Sequence, residues 1–360
     1  MESPLIEPSF ETKIQFITFL KNREVKKVAK LLKSDPQMNI NWTDPNGWTP
    51  FHLACVIGHI GIVKLFLKDK RIEINQGTNN AQTPFSIACE IGQIEIIKLL
   101  LNDPRVDINH ANKNGVTPLS IVCEKGHVDI VKLLLNEERT EVNKVDIHGW
   151  TPLHFACGKN EVEIVELLLN DQRVDPNLPE KDNDATPLFV ACLFQHIEIM
   201  KLLLNSKRIH LNQRENKKSF YFACKKGYIE IVKLFLNDQR VDVNKGEKAW
   251  EYPLFIACEN GHIEVVKLIL ADQRTEIKKQ NGSERTPLLI ACQQEFPEIV
   301  KLLLSDERID INEADNLGFT PFYFSCYCGF IEIVKVFLED GRVDTTKAIY
   351  NGETPLFAAC

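Results

Sequence analysis

A Thr-Pro pair recurs along the 360-residue chain at a nearly constant interval. It stands at Thr49-Pro50, Thr83-Pro84, Thr117-Pro118, Thr151-Pro152, Thr186-Pro187, Thr286-Pro287, Thr320-Pro321 and Thr354-Pro355, with altered copies at Lys218-Ser219 and Tyr252-Pro253. The successive steps are 34, 34, 34, 35, 32, 34, 34, 34 and 34 residues. A period of this length means stacked supersecondary repeats, because one repeat cannot bury its own apolar face. It also overrides the two domains that length alone would suggest, since such an array grows by adding repeats.

Residues 114–143, NGVTPLSIVCEKGHVDIVKLLLNEERTEVN, show the physics of one repeat. The Thr117 hydroxyl suits a helix N-cap. Pro118 suits the first helical position, where its missing N–H is not needed. Leu119, Val122 and Cys123 recur at spacings of three and four, which predicts a short helix with one buried face. Gly126 ends that helix. A second helix is predicted over residues 128–135, apolar on nearly all sides and therefore buried between neighbours. Residues 137–143 lead out in extended form, and the Asn114-Gly115 pair turns the chain back.

These residues resemble the ankyrin repeat. The resemblance rests on GWTPLHFAC at residues 149–157 and GHIEVVKLIL at residues 261–270, and covers about residues 45–360. The exit is longer than the family's usual one, as in NDQRVDVN at residues 237–244, and the His after Thr-Pro-Leu or Thr-Pro-Phe survives only as His52 and His154. The fold implied is an all-α solenoid of stacked helix-turn-helix repeats with short β-hairpin tips. Read this way, residues 1–9 are a flexible N-terminus and residues 10–44 a degenerate capping repeat with Lys21, Arg23, Lys26, Lys27 and Lys30 on its face. Nine repeats follow, over 45–78, 79–112, 113–146, 147–181, 182–213, 214–247, 248–281, 282–315 and 316–349. A tenth, truncated, occupies 350–360, and the reading expects a fragment of something longer. Lys218-Ser219 is expected to deprive the repeat at 214–247 of its cap, and Leu193-Phe194-Gln195-His196 lacks the helix-ending glycine.

Hydrophobic residues make up 44% of the chain, enough for a continuous core, and the net charge of −7 argues against general nucleic-acid binding. No apolar run approaches the roughly 18 residues of a membrane span. The first residues have no basic start followed by a long apolar core, so no secretory signal is read. Of eleven cysteines, ten (Cys55, Cys89, Cys123, Cys157, Cys192, Cys224, Cys258, Cys292, Cys326 and Cys360) fall on one buried position. Stacked helices sit about 8–10 Å apart, too far for disulfides, which need Cα atoms within roughly 7 Å. Unpaired thiols imply a reducing, cytoplasmic setting.

No catalytic constellation is read, and no cofactor or metal is expected. His59, His127, His196 and His262 share the helix-joining position and are expected to bond backbone there. Arg71, Arg105, Arg139, Arg173, Arg208, Arg240, Arg274, Arg308 and Arg342 recur in the exits. They are expected to bond carboxylates or helix-end carbonyls of the next repeat.

What varies between repeats points to binding. In ankyrin arrays, the resemblance implies, partners touch the hairpin tips and the last turn of each first helix, which face a concave groove. The matching positions here are Trp48, Val56, Ile57, Glu90, Ile91, Glu124, Lys125, Trp150, Lys159, Leu193, Phe194, Arg214, Lys217, Lys225, Lys226, Trp250, Phe319 and Tyr327. Trp48, Trp150 and Phe319 are read as exposed anchors. Arg214, Lys217, Lys218, Lys225 and Lys226 cluster on one repeat and suit a partner with an acidic segment. The expected function is a non-catalytic scaffold, a monomer that binds a protein partner through the concave face, with no nucleic acid and no membrane span. The alternative is a regulatory or targeting portion of a larger enzyme whose catalytic domain is absent from this sequence.

Overall fold

The computed structural model describes residues 5–246 and 252–360. The helices run in pairs. They are α1 (Phe10–Lys21) and α2 (Val25–Ser34); α3 (Pro50–Ile57) and α4 (Ile60–Lys68); α5 (Pro84–Glu90) and α6 (Ile94–Leu101); α7 (Pro118–Lys125) and α8 (Val128–Leu135); α9 (Pro152–Lys159) and α10 (Val162–Asn170). The series continues with α11 (Pro187–Leu193) and α12 (Ile197–Asn205); α13 (Arg214–Lys226) and α14 (Ile229–Asn237); α15 (Pro253–Glu259) and α16 (Ile263–Ala271); α17 (Pro287–Gln293) and α18 (Pro297–Leu304); α19 (Pro321–Cys328) and α20 (Ile331–Leu338); and last α21 (Pro355–Ala359). The chain divides into an N-terminal unit ending at Pro187 and a C-terminal unit starting at Leu188.

Both units are built alike. First helices stack on first helices, as α3, α5, α7 and α9 do in the N-terminal unit and α13, α15, α17 and α19 in the C-terminal unit. Second helices stack beside them, α2 through α10 by twos and α12 through α20 by twos. The core lies between the two rows. Phe51, Ala54 and Cys55 of α3 meet it from one side, and Ile62, Val63 and Phe66 of α4 from the other, all of them buried. Each such aliphatic or aromatic side chain contributes roughly 1.5–3 kcal/mol by leaving water. The helix expected at residues 128–135 is α8, with Ile130, Val131 and Leu134 buried and Leu133 and Leu135 half-buried.

The Thr-Pro pairs start the first helices as read. Thr83, Thr117, Thr286 and Thr320 accept from the amides of Ser86, Ser120, Leu289 and Tyr323 at 3.1–3.2 Å. The repeat without Thr-Pro has no side-chain cap, as expected. Its helix does not shorten; α13 runs 13 residues and begins at Arg214, in front of the position where the others start. Residues 214–218 contain neither Gly nor Pro, so the segment that forms a tip elsewhere winds into an extra turn. Where the helix-ending glycine is missing, the geometry persists: Asn160, Gln195 and Glu295 hold φ of 63°, 57° and 57°, beside 69° at Gly58 and 74° at Gly126. The tail expected to be loose over residues 1–9 is tied down in its described part, where Ile6 exchanges backbone bonds of 2.7 Å with Gln37 and Asn39.

Within the units, two side-chain ladders join repeats to their neighbours. The first is made of the arginines, and it corrects the expected direction: they reach the preceding repeat, not the next. Arg71 Nη2 donates to Leu32 O at 2.9 Å, Arg105 to Leu67 O at 2.9 Å, Arg139 to Leu101 O at 3.1 Å and Arg173 to Leu135 O at 2.6 Å. In the C-terminal unit Arg274 donates to Leu236 O at 2.7 Å and Arg308 to Leu270 O at 2.8 Å, while Arg240 and Arg342 reach Leu204 O and Leu304 O. Each acceptor is a last-turn carbonyl of a second helix, where positive charge is also favoured by the helix dipole. An aspartate two residues earlier steadies the guanidinium, as Asp272 does for Arg274 at 2.6 Å. Those bonds hold the Asp272 carboxyl below its ordinary pKa.

The second ladder is asparagine. Asn109 donates to Arg139 O at 2.7 Å and accepts from Glu141 N at 2.9 Å. Asn41, Asn75, Asn143, Asn212, Asn244 and Asn312 make the same pair of bonds with the repeat that follows. At one joint the ladder lacks its rung, because Lys278 occupies the asparagine position opposite Arg308 O and Asp310 N. Lys278→Asn should therefore stabilise the C-terminal unit by about 1 kcal/mol, the usual net value of added hydrogen bonds at an exposed site. Urea unfolding measures it; an unchanged or lowered midpoint would contradict the ladder.

Candidate functional site

The tips and the last turns of the first helices are set by local bonds. Most of the described tips are Asx or Asx-like turns. Asp44 Oδ1 accepts from Trp48 N at 2.8 Å, Asp146 Oδ1 from Trp150 N at 2.8 Å, and Asp315 Oδ1 from Phe319 N at 2.9 Å. The turn is closed by a backbone bond, such as Asp44 N to Trp48 O at 3.0 Å. The hairpins are thus minimal, and no strand is formed among the described residues. Successive tips touch through one backbone bond, Asn79 N to Asn46 O at 2.9 Å and Ile147 N to Asn114 O at 3.0 Å. Gly47 needs its φ of 82°, and a Cβ there would come within 2.5 Å of Asn79 N. The last turns are fixed by the following repeat. Gln93 Nε2 donates to Val56 O at 3.0 Å, and the rings of His127 and His262 bond Glu90 O and Lys225 O at 3.1 and 2.9 Å.

In the N-terminal unit the expected tryptophans are half-buried and not fully displayed. Trp48 packs on His52, ring centres 5.7 Å apart, and Trp150 lies between His154 and Phe155 at 5.8 and 5.3 Å. The indoles are steadied by their own repeat, which fixes their orientation. Val56 and Ile57 are half-buried, and Ile91 is 44% exposed. Glu90 accepts from Gln82 at 2.8 Å, Glu124 pairs with Lys159 at 3.2 Å, and Lys125 is exposed. Beside Trp48 lies a notch of about 470 Å³ that the sequence did not announce, lined by Ile17, Lys21, Trp42, Pro50 and Leu53 among others.

In the C-terminal unit Leu193 and Phe194 are exposed by 40% and 52% and Tyr327 by 61%. Phe194 stacks on His196, and Phe319 packs against Tyr323, Phe324 and Tyr327 at 5.3–6.4 Å. Lys225 and Lys226 are exposed. Lys218 does not join them: it is buried, with its ammonium 4.8 Å over the Phe189 ring. Trp250 falls outside the described residues, as do the side chains of Arg214 and Lys217.

The groups with chemistry serve the scaffold. All eleven cysteines are free thiols; the eight from Cys55 to Cys292 are buried, while Cys326 is half-buried and Cys328 and Cys360 are exposed. Burial pushes Cys192 and Cys292 up to about 12. Among the described residues no group of His, Cys, Asp or Glu is placed to hold a metal ion, and no helix is long and apolar enough to cross a membrane.

His52 and His154 are buried. Each Nδ1 bonds its N-cap threonine, Thr49 or Thr151, and each Nε2 meets a backbone carbonyl, Gln82 O or Ala185 O, at 3.0 Å. Burial brings both rings down to about 4. The folded state therefore favours the neutral ring. The stabilisation is present above the unfolded value near 6.5 and is lost as pH falls from there through about 4, by roughly 3 kcal/mol per ring. Ser86 and Ser120 hold the same capping position in α5 and α7, so His154→Ser should flatten the fall in stability between about pH 6.5 and 4.5. Chemical unfolding at a series of pH values reads the slope, and an unaltered slope would remove His154 from the account.

The stacked helix pairs, capped at Thr-Pro and turned by Asx tips, have a counterpart among known families. The family described as ankyrin repeats (3 copies) matches residues 20–112, 86–180, 172–247, 220–315 and 254–348. No curated protein matches the chain. Ankyrin repeats are in general protein–protein interaction modules and non-catalytic scaffolds. The chain belongs to the ankyrin repeat family.

Proposed function

We propose that this protein is a scaffold that binds a partner protein through its concave face, formed by the tips and the last turns of the first helices. The observation that carries the reading is where apolar surface stays in water. Ile91, Leu193, Phe194 and Tyr327, in or just past the last turns of the first helices, are 40–61% exposed, although some residues of the second helices, such as Ile331, are exposed as well. Aromatic side chains that are already oriented lose little entropy on binding, which makes them effective anchors. Trp48 and Trp150, with Val56, Ile57 and Ile91, form the apolar part of the patch on the N-terminal unit, and Glu90, Glu124, Lys125 and Lys159 its charged part. On the C-terminal unit the proposed patch takes Leu193, Phe194, Phe319 and Tyr327 together with Lys225, Lys226, Arg214, Lys217 and Trp250. The lysines suit an acidic segment of the partner. The eleven free thiols support a reducing, intracellular setting.

Against a partner isolated by affinity capture, Trp150→Ala should weaken binding by about 1–2 kcal/mol. Lys225→Glu with Lys226→Glu should slow association at low salt if the partner is acidic there. Titration calorimetry and stopped-flow mixing measure the two. Unchanged affinity after joint replacement of Trp48, Trp150 and Phe319 by alanine would remove the concave face from the proposal.

A further inference from the structure

The second helices carry a repeating charge pair on their outward side. An acid in the first turn faces a lysine three residues on: Glu95 with Lys98 at 2.8 Å, Glu198 with Lys201 at 2.7 Å, Glu230 with Lys233 at 2.7 Å, Glu264 with Lys267 at 2.6 Å and Glu332 with Lys335 at 2.9 Å. Lys132 is matched instead by Glu163 of the following second helix at 2.8 Å. The pattern fails at the start of the chain. Lys30 of α2 and Lys64 of α4 keep the lysine, but the residue three before is Lys27 in one and Gly61 in the other. The acid of the next helix, Glu95, is engaged by Lys98. Glu24, beside α2, is engaged by Lys27 at 2.6 Å, and Asp69, beyond α4, by Arg71.

Further lysines enlarge the imbalance. Lys26 and Lys33 share a face of α2 with Lys30, at spacings of four and three, and Lys68 follows Lys64 on α4 at a spacing of four. All five are exposed, and among the described residues no ion pair engages them. The helices α2 and α4 pack directly on each other, so their axes lie about 8–10 Å apart and the ammonium groups form one field. Between residues 21 and 70, nine lysines and arginines stand against four acids, in a protein whose net charge is −7.

We propose that the outward face of α2 and α4 is a docking surface for a short acidic polypeptide segment, separate from the concave face. Charge complementarity decides the sign of the partner, and the size of the patch decides its class. At physiological salt charges act over about 8 Å, so a segment of a few carboxylates feels the lysines alone. A bilayer or a long duplex would extend past the patch over α6, α8 and α10, where exposed Glu95, Asp129, Glu163 and Glu166 outnumber Lys98 and Lys132. Lysines also present single point charges; the two-pronged grip favoured by phosphates belongs to arginine.

The test mixes the full chain with fluorescein-labelled decaglutamate and reads anisotropy. Saturable binding is expected, weakening as salt rises. It should fall about tenfold or more in a Lys30→Glu/Lys64→Glu variant and stay within about twofold of the parent in a Lys225→Glu/Lys226→Glu variant, which separates this face from the concave one. Acetylation footprinting of the unsubstituted chain gives a reading free of any variant: the peptide should protect Lys30 and Lys64 but not Lys201 and Lys233. Absence of binding, equal loss in the two variants, or no protection at Lys30 and Lys64 overturns the proposal. So does tighter binding of phosphatidylserine vesicles or of a short DNA duplex, which would make the face a lipid or nucleic-acid surface.

Discussion

A helix leaves its last carbonyls without partners inside itself, and something must bond them. Here the donor at helix after helix is an arginine from the repeat that follows, as when Arg71 reaches Leu32 O and Arg274 reaches Leu236 O. Apolar burial supplies most of the attraction between helices, but it is not directional and cannot set how one repeat sits on the next. A planar guanidinium can, because its donors are fixed in a fork. The aspartate two residues earlier holds that fork in place within a single exit, so little freedom remains to be lost when the next carbonyl is met. As an isolated surface ion pair it would contribute little. Asparagine completes the joint by bonding an amide and a carbonyl of the following exit, as Asn109 does.

This division of labour leaves the tips and last turns free to differ. Tip shape depends on an Asx side chain and a residue that tolerates positive φ, and neither constrains the residue before Thr-Pro. Trp48, Trp150 and Phe319 occupy that place without disturbing the stack. The repeat at α13 shows the limit of the freedom: without Thr-Pro and without a turn residue the tip itself becomes helix. The same logic applies on the outer side. The ladder lysine at Lys30 and Lys64 is retained while its acid is not, a change the scaffold tolerates because these side chains face water.

Much of this was legible in the sequence, for reasons that can be named. The period, the Thr caps and the boundaries of α8 follow from spacing and from residues whose backbone preferences are strong. The eight buried thiols follow from a column of cysteines on one apolar face. Less legible was anything that depends on which neighbour a side chain meets. The arginines recur with the period, but the period does not say whether they reach back or forward, and they reach back. Asn41, Asn75 and Asn109 form a column as plain as the cysteines, yet asparagine in a polar exit could equally mark a turn. Lys218 reads as a groove cation because its neighbours in the chain are charged; the lengthened α13 places it over Phe189 instead. The half-burial of Trp150 depends on His154 and Phe155, one helical turn away, and becomes visible only in three dimensions.

Arginine bonds to the preceding repeat fix how one repeat sits on the next and add to the stability of that joint. Arg274 makes three of them, to Leu236 O at 2.7 Å and to Asp238 O and Val241 O at 3.1 Å each. Arg274→Met keeps the apolar stem and removes the donors. Native-state hydrogen exchange in α14 and α16 is the direct measurement. The account predicts that the opening free energy of these helices falls by about 2–3 kcal/mol, the value of charge-assisted bonds whose carbonyl partners are left behind. A change below about 0.5 kcal/mol, the level of an ordinary surface substitution, would contradict it.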